Sequence, residues 1–274
     1  MVRRAHKGQV FLVDNEYLRR VAETAQIAPT EVVLEIGMGR GELTQHLVRR
    51  AHEVVAVEVE ERFVDAAARD FVSYDNLTVV HADILEVAWE DLVPARSPLV
   101  VVGNLPFYIT GPILRLLTEH RAQILRWSLL LQREVAVRIC ASPGGREYGA
   151  LSVKMQIWGE PYLAFVVPAE AFDPRPGVDA ALVTYRYAEA PPVSWDSAGL
   201  FDNFVDFIFG ARRKKIGNRV ATLLGGALSA REIQARLEEV GGEAGARPER
   251  FSPAQFATLF QLLRPYLEAD VQGV

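Results

Sequence analysis

Cysteine is nearly absent: Cys140 is the only one in 274 residues. An internal disulfide framework is therefore excluded, and nothing in the cysteine count points to an oxidising compartment. Cys140 falls in a helix-like stretch and reads as an inert core thiol. Long apolar runs are missing too; none approaches the roughly 20 residues that span a bilayer. The N-terminus, MVRRAHKGQVFLVD, is basic but has no apolar h-region, so no secretory signal is expected and the location expected is cytoplasmic. Nor is there an excess of positive charge. The net charge is −5, which is not the balance of a generic nucleic-acid binder. Internal repeats and low-complexity tracts are also lacking.

What positive charge there is lies in two places. Residues 211–219, ARRKKIGNR, carry Arg212, Arg213, Lys214, Lys215 and Arg219 with no acid, and Arg3, Arg4 and Lys7 sit near the start. The rest of the chain holds 22 basic residues against 35 acidic ones. Concentrated in this way, the charge suits a localised phosphate-binding face on an acidic body.

Half the residues are hydrophobic, enough for one large domain and a smaller one. Apolar, β-branched runs at 31–36, 54–58, 77–81 and 99–103, separated by helix-length stretches, predict a doubly wound parallel sheet in an α/β fold. Further strands are expected at 126–132, 162–167 and 180–187, with helices at 133–140 and 151–158. A composition shift at AEAPP, residues 188–192, marks a linker. Beyond it every segment is helix-like, at about 198–209, 212–224, 230–239 and 253–267. The expected domains are thus 1–188, α/β, and 189–274, all-helical.

Function is concentrated where the strands end. After the 31–36 strand comes Gly37-Met-Gly39-Arg-Gly41, leading into a helix expected to run to about Arg50. Glycines there let backbone approach a ligand closely. The loop is neither the G-x-x-x-x-G-K-[ST] phosphate loop nor the full G-x-G-x-x-G fingerprint. Glu58 ends the second strand 17 residues after Gly41, near the spacing of an acid that bonds ribose hydroxyls. Asp83 follows the third strand, where a carboxylate accepts from an adenine amino group. The fourth strand ends in Asn104-Leu105-Pro106-Phe107. Pro106 stiffens this corner and biases Leu105 to extended backbone. The Asn104 amide oxygen and the carbonyl of Leu105 or Pro106 can accept both hydrogens of an exocyclic amine, and Phe107 can stack on the base that carries it. Phe172, in the proline loop AFDPRPG, is the candidate for a second stacking ring.

These pieces in this order resemble the rRNA adenine N6-methyltransferases, and most closely the small-subunit rRNA adenine dimethyltransferases, the kasugamycin-sensitivity family. GQVFLVD, EIGMGRGELT, VVAVE, HADIL, VVGNLPFYIT, LLLQREVAVRI, YGALSV, VPAEAFDPRPGVDAALV and FGARRKKIGNRV carry the likeness. The resemblance implies a class I Rossmann-like methyltransferase domain with a small C-terminal helical domain. It also implies S-adenosylmethionine as cofactor, no metal, and methylation at N6 of two adjacent adenosines in the 3′-terminal hairpin of 16S rRNA, with the pre-30S particle as partner and the enzyme a monomer. By the same resemblance Val10, Leu12, Gly37, Glu58, Asp83 and Asn104 form the cofactor site. Asn104, Leu105, Pro106, Phe107 and Phe172 form the catalytic corner, and the basic stretch binds RNA. The family usually has Asn or His where Val10 stands and Tyr where Phe107 stands. Two alternatives remain: the branch that methylates one adenosine of large-subunit 23S rRNA and confers macrolide resistance, and a non-catalytic assembly or transcription factor of the same fold.

Overall fold

The structure, a computed structural model, describes residues 9–92, 98–211 and 213–271. Its centre is a seven-stranded sheet. In chain order the strands are β1 (Phe11–Leu12), β2 (Val32–Ile36), β3 (Glu53–Glu58), β4 (Leu77–His81), β5 (Leu99–Asn104), β6 (Ile124–Gln132), β7 (Gly159–Val167), β8 (Phe172–Asp173) and β9 (Ala180–Tyr187). The large sheet has the order β4-β3-β2-β5-β6-β9-β7, and β1 pairs with β8 in a separate antiparallel ribbon. β4 through β6 run parallel, while β9 joins β6 antiparallel. Strands β2 and β5 are buried along almost their whole length, which is why they read as continuous apolar runs rather than alternating ones. The strand order reverses at β2, between β3 and β5, so a crevice opens at the carboxyl ends of these strands.

Helices α1 (Asn15–Thr24), α2 (Thr44–Leu47), α3 (Glu61–Asp70), α4 (Trp89–Leu92) and α5 (Thr110–Glu119) alternate with the parallel strands. Asp14 caps α1, its Oδ1 accepting from the amides of Glu16 and Tyr17 at 2.9 and 3.3 Å. The helix expected to reach Arg50 is a single turn, α2. The α1–β2 turn is fastened by Arg126 on β6, whose guanidinium donates to both carboxylate oxygens of Glu31, at 3.0 and 2.7 Å, and to the carbonyls of Ala25 and Gln26. This hydrogen bonding pulls the Glu31 carboxyl below its ordinary range.

The chain divides into two compact units, and the division differs from the single boundary expected at 188. One unit holds the described residues up to Ala136 together with Tyr162–Tyr187; the other holds Val137–Pro161 and the described residues from Ala188 on. The second unit is helical: the end of α6 (Arg133–Cys140), then α7 (Ala150–Trp158), α8 (Ala198–Phe209), α9 (Ile216–Leu223), α10 (Ala230–Glu239) and α11 (Pro253–Val271). Tyr148, Val153, Ile157 and Trp158 are buried in the same core as Phe201, Phe204, Phe256 and Phe260, so the α7 stretch belongs with the C-terminal helices. The reason is apolar packing, which a composition shift cannot reveal. The start of α11 is closed by a reciprocal cap: Gln255 N donates to Ser252 Oγ at 3.2 Å, and Ser252 N to Gln255 Oε1 at 2.9 Å. No helix among the described residues is long and apolar enough to cross a membrane.

Candidate active site

The glycine loop leaves β2 at Ile36, and the register places Ile36 opposite Gly103. The residues that follow on each strand, Gly37 and Asn104, therefore stand side by side at the sheet's carboxyl edge. Gly37 has φ +76°, and a Cβ built on it would meet nothing within 4 Å, so its backbone faces open space. Gly39 has φ +55°, and a Cβ there would lie 2.8 Å from the Phe11 ring. One glycine thus exposes backbone to a ligand and the other admits the β1 aromatic.

Glu58 is buried, and its carboxylate is held by backbone: Oε2 accepts from Gly39 N at 2.9 Å, and Oε1 from Val59 N and Glu60 N, both at 2.9 Å. Three of roughly four acceptor positions are thereby used. In this structure Glu58 fixes the loop, a role the strand-end position alone did not reveal. Beneath it Glu35 is buried on β2 and accepts from the Thr44 hydroxyl at 2.7 Å. Burial, reinforced by the neighbouring Glu58 and Glu42 carboxylates, pushes Glu35 up to about 8 against the pull of the Thr44 bond. Asp83 is half-buried after β4; its Oδ1 accepts from Leu85 N at 2.9 Å.

At the end of β5, Asn104 Nδ2 donates to the Val10 carbonyl at 3.0 Å, and Oδ1 is buried with no hydrogen-bond partner. Val10 thus enters the site through its main chain, which explains how an apolar residue serves at a position usually polar in the family it resembles. Leu105 is buried, its amide donating to the Leu130 carbonyl at 3.3 Å. The Pro106 carbonyl already accepts from Ile109 N at 3.1 Å. Phe107 opens a short 3₁₀ turn and lines a cavity of about 580 Å³ with Val10, Phe11, Gln132, Arg62 and Arg175. Phe11 therefore belongs both to the cavity wall and to the glycine loop's packing.

Two expected residues are placed differently. Phe172 is 4% exposed, paired with Leu12 across the β1–β8 ribbon and buried in a cluster with Leu12, Leu130 and Leu182. It does not line the cavity; Phe107 packs at the edge of the same cluster, so Phe172 lies behind Phe107 as core and offers no exposed ring of its own. The Leu12 side chain likewise is buried core. In the basic stretch, Arg213, Lys214 and Lys215 are exposed and precede α9, with Lys215 as its extended N-cap, so the helix begins later than expected. Arg219 is turned inward: it donates to the Phe207 carbonyl at the end of α8 and lies 4.0 Å from the Phe207 ring centroid. It is a structural clasp within the helical unit and drops out of the phosphate-binding set. Arg212, with Arg3, Arg4 and Lys7, lies outside the described residues.

Residues missed from sequence are Gln132, Phe11, Glu35 and Thr44. Gln132 carried the signal that found Asn104, a polar residue closing an apolar strand, but no proline corner marked it.

A parallel sheet reversing at β2, an open glycine loop there and a carboxamide on the adjoining strand end define a Rossmann-like methyltransferase. The chain belongs to the ribosomal RNA adenine dimethylase family, whose model matches residues 2–264. It is 36% identical over 260 residues to the ribosomal RNA small subunit methyltransferase A of Lachnoclostridium phytofermentans, covering 93% of this chain and 90% of that one. Among solved structures it resembles the 23S rRNA methyltransferase ErmE, at TM-score 0.75 and 26% identity over 93% of this chain and 99% of that one. A dimethyladenosine transferase from Plasmodium falciparum shares the fold at TM-score 0.77 and 22% identity, over 93% and 98% of the two chains.

Proposed function

We propose that this protein transfers methyl groups from S-adenosylmethionine to N6 of two adjacent adenosines near the 3′ end of small-subunit rRNA, within the pre-30S particle. The observation that carries this reading is the orphaned Asn104 Oδ1. A buried amide oxygen without a donor costs about 1–3 kcal/mol, and an exocyclic amine supplies that donor. The small-subunit substrate is favoured by the 36% identity to a small-subunit enzyme over 93% of this chain.

The residues present fit the cofactor. Backbone at Gly37 is open, Glu58 keeps one acceptor position at the strand end, and Asp83 keeps Oδ2. Gly37, Glu58 and Asp83 would hold it, with Val10 and Asn104 at its reactive end; when bound, it supplies a methyl group on a positively charged sulfur. The chain's own task is the base. The adenine N6 lone pair is delocalised into the ring. Acceptors on both N–H bonds, Asn104 Oδ1 and the Leu105 carbonyl, favour a pyramidal nitrogen and free that pair. Both bonds strengthen as positive charge develops on N6, so they help the transition state more than the ground state. Phe107 repays part of the cost of unstacking the base. Arg213, Lys214 and Lys215 hold phosphates without reading sequence.

The test is transfer of labelled methyl to small subunits from cells lacking this gene, with the products mapped. Dimethylation of two neighbouring adenosines is expected; no transfer, or transfer only to large-subunit rRNA, would overturn the reading.

A further inference from the structure

Gln132 is the second carboxamide at the catalytic edge, and the proposed reaction as stated gives it nothing to do. It closes β6, one strand over from Asn104. The register pairs Asn104 with Leu130. Side chains two residues apart on a strand share a face, so Asn104, Leu130 and Gln132 all stand on one side of the sheet. Leu130 is buried on that side with Leu182 and Phe172, and Phe107 packs at the margin of the same cluster. Gln132 itself is half-buried and lines the cavity with Phe107 and Val10, the residue whose carbonyl orients Asn104. An apolar strand, Leu129-Leu130-Leu131, thus delivers one amide to the wall of the cavity.

We infer that Gln132 reads the base: its side-chain N–H donates to adenine N7, on the edge next to the exocyclic amine, while Asn104 takes the amine. This rests on the reading of the site given above. The chemistry divides cleanly between the two amides. Asn104 is committed by Val10 to presenting its oxygen, which suits any exocyclic amine, cytosine and guanine included. A ring acceptor also flanks the amine of cytosine and of guanine, so choosing adenine needs a donor on the other edge, facing N7, where cytosine has a C–H and guanine a carbonyl beside it; glutamine is a residue that pairs with adenine at that edge. Gln132 is therefore a specificity-determining residue; Asn104 supplies rate.

The experiment uses small subunits reconstituted with rRNA whose target adenosines are unmodified, 1-deazaadenosine or 7-deazaadenosine, and follows methyl transfer by the full chain. Wild-type protein is expected to keep most of its kcat/KM on the 1-deaza analogue and to lose about 10- to 100-fold on the 7-deaza one, which lacks the contacted nitrogen. Gln132→Leu should lose a similar factor on unmodified adenosine and nothing further on that analogue. Gln132→Glu, which keeps the shape but offers only acceptors, should show the same pattern, with cofactor affinity and Tm unchanged in both variants. Wild-type kcat/KM in Gln132→Leu, or losses that multiply on both analogues, would overturn the inference while leaving the catalytic reading intact. Absence of transfer by the wild-type chain would overturn both.

Discussion

Asn104 Nδ2 donates to the Val10 carbonyl at 3.0 Å across 94 residues of chain. A carbonyl only accepts, so this bond fixes which end of the carboxamide is nitrogen and leaves the oxygen without a partner. Asn104→Ala is expected to cut kcat by about 10²–10³, the cost of losing a preorganised polar group in a transition state, with cofactor affinity altered only a few-fold. Single-turnover methylation with calorimetric binding separates the two; unchanged turnover would refute the amide's role.

Phe107 and Phe172 share one hydrophobic cluster but face different surroundings. Phe107→Ala should weaken RNA-dependent steps by about 1–3 kcal/mol, the value of stacking on a base, and leave Tm nearly unchanged. Phe172→Ala should instead destabilise the fold by about 3–5 kcal/mol, as a buried ring does. Thermal unfolding alongside small-subunit binding distinguishes them.

The exposed cations divide in the same manner. Replacing Arg213, Lys214 and Lys215 by Gln should make the plot of log binding constant against log salt shallower, by about 0.7–0.9 for each phosphate that is no longer neutralised. Arg219→Gln should leave that slope alone and lower Tm, because its guanidinium closes the end of α8. An identical slope in the triple variant would place the RNA elsewhere.

Glu35 sets a pH dependence of stability. Its folded pKa, about 8, lies above the ordinary 4.5, so the folded state holds a proton there that the unfolded chain releases. Stability from this group is full below about pH 4.5 and declines as pH rises, until the folded group ionises near 8. Glu35→Gln keeps an acceptor for the Thr44 hydroxyl and cannot ionise. Its Tm is therefore expected to gain on the wild-type value as pH rises from about 5 to 8, and the gap to level off above that. Parallel Tm–pH curves for the two proteins would contradict this.

The parallel sheet was legible because its strands are buried on both faces and punctuated by polar ends; β4 and β9 fall at the expected residues, and Asn104 and Glu58 stand at the strand ends where they were expected. What local pattern cannot carry is pairing between distant segments. Phe172 reads as a loop aromatic until β1, 160 residues away, pairs with it. Arg and Lys are good helix formers, so the basic stretch reads as the first turn of α9. The helix starts at Ile216 instead, the first buried residue after three exposed cations. Glu58's grip on Gly39 joins residues 19 apart and becomes visible only when β2 and β3 lie side by side.

Because α7 shares its core with the C-terminal helices, a chain ended at residue 188 would not yield a tidy catalytic half. It would strand Val153, Ile157 and Trp158 with their apolar surfaces in water and their partners gone. Exchanging the helical unit between relatives therefore takes two splices, one for residues 137–161 and one for the C-terminal part. Any lineage that has traded this module must have moved both pieces or rebuilt the seam.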